Sequence, residues 1–191
     1  GVDLARKPHL DPEASVRIAR TLLDLGVDVN AAAFSEGTWR ATALWYAVGR
    51  GRNTPLARFL LDNGSTAEHC LWAAAFNEDE ESMRLLIEHG ATVDAIAENE
   101  TPLLHAVKWS RFGAVNVLLD AGADANFVDH KGMTALHYML KKGADKANYE
   151  AFIAHGARGD IPGPDGRSAR DIMRRKRAPG FGVLAERLRE K

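Results

Sequence analysis

The chain has 191 residues, of which 46% are hydrophobic and 27% are charged, so it is long enough to bury a core and is not typical of a disordered protein. Its 25 Lys and Arg balance 26 Asp and Glu, which gives no overall attraction to nucleic acid or to an anionic membrane. The longest apolar run, residues 70–76, is too short to span a bilayer, and the one cysteine cannot form an internal disulfide.

These features predict no membrane span and a cytoplasmic location. The chain starts at Gly1 rather than Met. We therefore expect a processed or trimmed start, and an earlier, removed signal peptide stays open as an alternative.

A short phrase ending in glycine recurs along the chain. Two apolar residues and two further residues precede each of these glycines, which follow one another in steps of 38, 26, 32 and 34 residues. Glycine adopts the left-handed conformation that ends a helix, so each copy predicts a helix end. In the first copy the preceding helix is expected over residues 15–25. The glycines are Gly26, Gly64, Gly90, Gly122 and Gly156.

A second phrase, which begins with a hydroxyl residue, alternates with the first. It starts at Thr42, Thr101, Thr134 and, in a degenerate copy, at Ser168. A hydroxyl at this position can accept a hydrogen bond from a free amide of the first helical turn. Each copy therefore predicts the start of a first helix, and Thr54-Pro55 predicts the start of a second helix by the same reasoning.

Helices of two to three turns are marginal in water, so they must be stabilised by stacking on neighbouring pairs. Residues 101–106 and 132–137 resemble the signature of the ankyrin repeat, whose period is about 33 residues. The resemblance covers residues 12–191. It implies an all-α ankyrin-repeat solenoid of about five to six helix-turn-helix units with short β-hairpin fingers.

The repeats divide a single expected domain, 1–191, into six units. They are 1–30 (N-terminal cap), 31–64, 65–91, 92–124, 125–158 and 159–191 (C-terminal cap). The first finger is expected to be long and to contain Trp39. The finger between units two and three is expected to be missing, because only five steps separate Gly64 from His69. In the last unit Arg170 replaces the family leucine, and we expect it to contribute to a polar outer face.

The resemblance implies a non-catalytic protein–protein interaction module or scaffold, without a cofactor, that binds a protein or extended peptide on its concave face. Trp and Arg favour such interfaces because they bury much area, although Trp45 and Trp72 could instead pack against each other. The residues expected at the concave face and fingers are Trp39, Arg50, Trp72, Phe76, Lys108, Trp109, His130, Lys131, Met133 and Lys141.

The C-terminal cap gives an alternative. Residues 158–191 hold ten Lys and Arg against five Asp and Glu. The basic cluster within them could be a solvated cap. It could also dock an acidic or anionic target in a regulatory or immunity-type ankyrin protein, whereas nucleic acid is unlikely because no aromatic residues are interleaved. The cluster is Arg174, Arg175, Lys176 and Arg177.

A metal- or thiol-dependent enzyme at the missing finger is a less favoured alternative. It would use His69, Cys70 and Glu68, yet no Cys-x-x-Cys or His-Glu-x-x-His spacing is present. The other histidines have structural explanations. The resemblance implies that His137 hydrogen-bonds between neighbouring units, and His89 and His155 precede a helix-ending glycine. We therefore expect no metal and no catalytic residues.

Overall fold

The computed structural model describes residues 11–36, 39–67, 69–97 and 99–188. The chain divides into two compact units, Gly1–Thr92 and Val93–Lys191. That residues 1–191 form one domain stays a prediction. The elements are α1 (Pro12–Asp24), β1 (Ala32–Glu36), β2 (Trp39–Thr42), α2 (Ala43–Tyr46), a π-helical turn (Ala47–Gly51), α3 (Thr54–Asp62), α4 (Cys70–Phe76), α5 (Glu80–Glu88), α6 (Pro102–Lys108), α7 (Phe112–Asp120), α8 (Ala135–Lys142), α9 (Lys146–Ala154), α10 (Ala169–Arg175) and α11 (Phe181–Arg187).

The described helices form an all-α fold of paired helices, as expected. The helix predicted over 15–25 is α1, and residues 1–10 of unit one lie outside the described residues. Among the described helices none is long and apolar enough to cross a membrane.

The recurring glycines end the second helices, as predicted. At Gly90, φ is 81°; its amide donates to the Ile87 carbonyl at 3.0 Å, and the Ala91 amide donates to the Leu86 carbonyl at 2.9 Å. A Cβ added at Gly90 would have nothing within 4 Å. The left-handed backbone, rather than lack of space, therefore favours glycine here.

Hydroxyl residues cap the first helices, as predicted. Thr42 accepts a hydrogen bond from the Trp45 amide, and Thr101 accepts one from the Leu104 amide, both at 3.2 Å. The α3 helix does begin at Thr54, but its cap is Asn53, whose side chain accepts from the Leu56 amide at 3.1 Å. The expectation that Thr54 itself is the cap was wrong, because Thr54 already belongs to the helix.

Strands are confined, within the described ranges, to the first finger. There β1 pairs with β2 in antiparallel fashion, with Glu36 opposite Trp39. The fingers near 97–100 and 162–168 have single bridges. Between α3 and α4, none of the described residues 63–67 and 69 is in a strand, which agrees with the missing finger.

A one-residue insertion is accommodated differently in the second and fifth repeats. The second helix starts 12 residues after the capping threonine in both of these repeats, from Thr42 to α3 and from Thr134 to α9. In the fourth repeat, from Thr101 to α7, the spacing is 11 residues. In the second repeat the extra residue widens the backbone into the π-helical turn, and Asn53 donates to the Ala47 carbonyl at 2.9 Å. In the fifth repeat α8 is instead one residue longer than α6 and ends at Gly143, with φ of 71°.

Amide side chains tie the end of one repeat to the next. Asn30 accepts from the Thr66 amide at 2.8 Å and donates to the Gly64 carbonyl at 3.1 Å. Asn126 likewise accepts from the Arg158 amide at 2.7 Å and donates to a glycine carbonyl. Asp94 occupies the same position and accepts from the Asp124 amide at 3.0 Å, but a carboxylate cannot donate.

Arg170 is buried, with 6% of its surface exposed, so its expected place on a polar outer face was wrong. Its guanidinium donates to the Ala185 carbonyl at 3.1 Å and to the Leu188 carbonyl. Backbone carbonyls at a helix end lack intrahelical donors. Arg170 therefore closes the C-terminal end of α11.

We predict that Asp94→Asn stabilises the protein by about 1 kcal/mol, because asparagine keeps the acceptor and adds the donor that Asn30 and Asn126 use. Burial, followed by repulsion from Asp124, raises the pKa of Asp94. Its ionised form is therefore disfavoured in the folded state at neutral pH. This cost is lost as the pH falls through the raised pKa toward 3.8, the ordinary value.

Urea unfolding of Asp94→Asn at pH 7 and pH 4 measures both parts. The gain should be larger at pH 7, and the reverse change, Asn126→Asp, should destabilise. A loss of stability in Asp94→Asn at pH 7 would contradict the role given to this side chain.

Replacing the buried arginine by the family leucine, Arg170→Leu, should cost about 2 kcal/mol or more, because the carbonyls at the end of α11 lose their donors. Hydrogen exchange of the α11 amides should accelerate. Arg174→Leu is the matched control on the same helix: its 3.0 Å pair with Glu186 is exposed and should contribute under about 1 kcal/mol. Equal effects of the two changes would show that Arg170 has no special role.

Candidate partner-binding surface

We call the fingers and the C-terminal ends of the first helices of each unit the first-helix side, because the predicted partner-binding residues belong to these segments. In Gly1–Thr92 it includes Trp39 on β2, whose side chain lies outside the described part of the chain. Arg50 is exposed on the π-helical turn, with its guanidinium carbon 6.0 Å from the centre of the Trp45 ring. Trp72 is half-buried on α4, and Phe76, at the end of that helix, is 37% exposed.

The end of α4 is held against the π-helical turn by Asn77. Its side-chain amide donates to the carbonyls of Val48 at 3.2 Å and Gly49 at 2.9 Å. Arg52 donates back to the Asn77 carbonyl at 2.5 Å. The backbone segments that carry Arg50 and Phe76 are therefore held together by side-chain hydrogen bonds in both directions.

In Val93–Lys191 the first-helix side is organised by Glu100. This carboxylate, with 13% of its side-chain surface exposed, accepts from the Lys108 ammonium, and its other oxygen is 3.2 Å from Nδ1 of His105. The Lys108 ammonium also lies 5.1 Å from the centre of the Tyr138 ring. Lys108 is thus held by an ion pair and an aromatic ring rather than extended into solvent.

Trp109 directly follows this cluster and is 56% exposed. Its ring centre is 6.1 Å from that of His105, with the planes inclined by 46°. The Lys142 ammonium donates to the Lys108 carbonyl and lies 3.3 Å from Oγ of Ser110. The Lys142 side chain of α8 therefore holds the chain on either side of Trp109, while the indole is exposed to solvent.

The finger of the fifth repeat is held by a buried carboxylate, Asp129. It accepts from the amides of Lys131 and Met133, both at 2.9 Å, and from the Tyr138 hydroxyl at 2.6 Å. Burial alone would raise the pKa of Asp129, but these hydrogen bonds outweigh it and lower that pKa. His130 and Lys131 are exposed on this rigid turn, and Met133 is half-buried.

The basic residues near the C-terminus differ in their environments. Arg174 pairs with Glu186 at 3.0 Å, and the Lys176 ammonium lies 4.6 Å from the centre of the Phe181 ring. Arg175 and Arg177 are exposed, as is Lys141 at the end of α8. Part of the predicted cluster therefore packs within the cap, and the rest faces solvent.

The histidine side chains take part in contacts between repeats. Nδ1 of His89 bonds to the Leu85 carbonyl at 2.9 Å, and its Nε2 is 3.2 Å from Asp62 of the preceding repeat. His155 repeats this arrangement with Ala151 and Asp120, at 2.8 and 3.3 Å. These imidazoles act as structural links.

His137 makes the expected bond to the next repeat. Its Nδ1 accepts from the Thr134 amide at 3.2 Å, so the ring proton lies on Nε2, which donates to the Arg167 carbonyl at 3.3 Å. Burial lowers the pKa of His137, and the bond to Arg167 opposes this only in part.

The missing finger places His69 in a left-handed conformation, with φ of 58°, just before the fully buried Cys70. Within the described ranges no group of three or more His, Cys, Asp or Glu could hold a metal ion. Glu68 lies outside those ranges.

Sequence reasoning missed Tyr138 and Asp129 as the residues that hold the fifth finger. One signal was available, because Asp129 and Gly132 begin and end an Asp-x-x-Gly turn, a pattern in which the aspartate side chain bonds nearby amides. No comparable local signal marks Tyr138, since its partner is nine residues away.

Comparisons with known proteins agree with the repeats. Residues 44–129 match the family model of ankyrin repeats, in three copies. Dog inversin is 38% identical over 86 residues, which cover 44% of this chain and 8% of inversin. A fowlpox virus protein named for its ankyrin repeats, FPV022, is 30% identical over 162 residues, covering 82% of this chain and 26% of that protein. The chain thus spans a small part of these relatives.

A crystal structure of an ankyrin repeat domain from Acinetobacter baumannii has the same fold. Its TM-score is 0.75, the match covers 92% of both chains, and the sequences are 20% identical. At this identity the likeness concerns the fold alone.

Two histidines should shift the pH dependence of stability in opposite directions. The pKa of His137 is lowered, so its stabilising contribution is present above pH 6.5 and is lost below it, by at most about 1.4 kcal/mol per pH unit. The pKa of His89 is raised, first by its bond to Leu85 and then by Asp62. Its contribution is therefore present below pH 6.5 and is lost as the pH rises.

Unfolding free energies at pH 7.5 and 5.5 test this pair. His137→Gln should lose less stability than the wild type between these pH values, and His89→Gln should lose more. Shifts of the same sign in both variants would refute the assigned bonds.

Proposed function

The chain is an ankyrin-repeat protein, and we propose that it is a non-catalytic binding module that holds another protein, or an extended peptide, on its first-helix side. Ankyrin repeats are generally protein–protein interaction modules. The kind of partner and the surface used are our proposal. The observation that carries it is Trp109, whose exposed indole stands on a fixed backbone.

An exposed tryptophan on rigid backbone suits binding. A partner can bury its large surface at little cost in conformational entropy, which is why tryptophan is frequent among residues that dominate interface energies. In Val93–Lys191 the turn with His130 and Lys131 is also rigid, since Asp129 holds it. In Gly1–Thr92, Phe76 and Arg50 are exposed on backbone that Asn77 fixes.

The ionisable side chains grouped in Val93–Lys191 favour binding over catalysis. Glu100 is engaged by Lys108, and Asp129 by Tyr138 and two amides. A general acid or base needs a group that can reach a substrate and exchange its proton. Here Glu100 holds Lys108 at the end of α6, and Asp129 holds the finger of the fifth repeat. Both carboxylates thus support the proposed binding surface.

The proposal predicts that the double variant Trp39→Ala, Trp109→Ala loses the captured partner. Cross-linking followed by affinity recovery compares it with the wild type, and the two single variants show which unit contributes more. A loss of at least about tenfold in recovery is expected, because truncating a central tryptophan commonly costs about 2 kcal/mol or more.

Val183→Ala serves as the control, since this residue is also apolar and exposed (65%) but lies on α11. Its recovery should equal that of the wild type. Undiminished recovery by the double variant would show that the first-helix side is not the binding surface.

A further inference from the structure

Basic residues recur at the ends of three neighbouring first helices in Val93–Lys191. Counted from the capping residues Thr101, Thr134 and Ser168, the seventh residues are Lys108, Lys141 and Arg175, and the eighth residues are Trp109, Lys142 and Lys176. The α8 helix packs against both α6 and α10, and Lys142 bonds to the Lys108 carbonyl. These two sets therefore form adjacent columns across the ends of α6, α8 and α10, which we call the basic row.

Much of the charge in the basic row faces solvent. Glu100 neutralises Lys108, and the Lys176 ammonium lies 4.6 Å from the centre of the Phe181 ring. Lys141, Lys142 and Arg175 are exposed and form no ion pair within 4 Å among the described residues. The nearest carboxylates in sequence are Asp171, which is bonded to Ser168 and is attracted by Arg175 and Arg174, and Asp145 in the loop after α8. The row therefore carries net positive charge beside an exposed tryptophan.

Cations near a helix C-terminus can also serve to balance the helix dipole. The second helices of the same unit test that explanation, because each of them also has a C-terminal end with a partial negative charge. The last turns of α7 and α9 contain no Lys or Arg, and that of α11 contains one, Arg187, which pairs with Glu150. The last turns of α8 and α10 contain two each. Dipole compensation alone would not concentrate the cations at the ends of the first helices.

From this arrangement we propose that the basic row binds an acidic segment of a partner protein in an extended conformation, with an apolar side chain on Trp109 and carboxylates at Lys141, Lys142 and Arg175. Adjacent helices are about 8–10 Å apart, and an extended peptide rises about 3.3 Å per residue. The distance from one first helix of the row to the next therefore corresponds to about three residues of an extended peptide. This inference rests on the proposed function and names the chemistry of its partner.

A peptide fits the row better than a single-stranded nucleic acid does. Nucleic acid binding without sequence preference stacks successive bases on successive aromatic side chains. In the column that starts with Trp109, the next two positions are Lys142 and Lys176, neither of them aromatic. A peptide with one apolar side chain followed by acidic residues matches this sequence of one aromatic and two basic positions.

Fluorescence anisotropy of a labelled peptide tests the inference on the full chain. The peptide has about thirteen residues, with a central Phe and with Glu about three and six residues away on each side, so that either direction can align. A second peptide replaces every Glu by Gln. We expect the acidic peptide to bind at least about tenfold more tightly than the Gln peptide, and its affinity to fall as salt rises from about 50 to 300 mM.

Variants localise the binding. Lys141→Glu and Trp109→Ala should each weaken it by at least about fivefold. Arg58→Glu makes the same change in charge on the exposed face of α3 and should alter it by less than about twofold. Circular dichroism verifies that each variant is folded.

The inference is overturned if both peptides bind equally, if neither binds, if Lys141→Glu and Arg58→Glu behave alike, or if an oligouridylate of equal charge binds more tightly than the acidic peptide. Its failure is distinguishable from that of the proposed function. If partner capture still depends on Trp109 while the acidic peptide does not bind, the inference about the basic row fails alone. If capture is also indifferent to Trp39 and Trp109, the proposed surface fails as well.

Discussion

The bonds between successive repeats are the constraint on which the rest of this protein depends. Helices of seven to nine residues, such as α6 and α7, do not persist alone in water. Apolar packing supplies most of their stabilisation, but it does not fix register. Register comes from polar side chains that reach the backbone of the next repeat, as Asn126 reaches Arg158 and His137 reaches Arg167.

That constraint divides the polar and aromatic residues at the ends of the first helices into two groups. Some bind other parts of the protein, and others, nearby in sequence, are exposed to solvent. At the end of α6, Lys108 is held by Glu100 while Trp109 is exposed. On α10, Arg170 is buried against carbonyls while Arg175 faces solvent. Because the Lys142 ammonium holds the Lys108 carbonyl, Trp109 stands on a rigid support and can bind without a large loss of conformational entropy.

The sequence predicts those features whose cause is local. A helix-ending glycine and a capping threonine are required by the backbone within a few residues, so the repeats, most helix starts and the missing finger follow from the chain alone. The position of Arg170 depends on carbonyls 15 and 18 residues away, and an arginine in place of leucine normally indicates exposure. The bond from Tyr138 to Asp129 similarly requires knowledge of how the finger folds back on α8.

The one-residue insertions show how such a fold changes its surface without losing its stacking. In the second repeat the π-helical turn absorbs the insertion, and Arg50 lies on that turn beside the Trp45 ring. In the fifth repeat the same insertion lengthens α8 by one residue, and its last residue, Lys142, bonds to the Lys108 carbonyl. The second helices α3 and α9 remain nine residues long in both repeats. Insertions at the ends of first helices therefore alter the groups offered to a partner while the contacts between repeats are preserved.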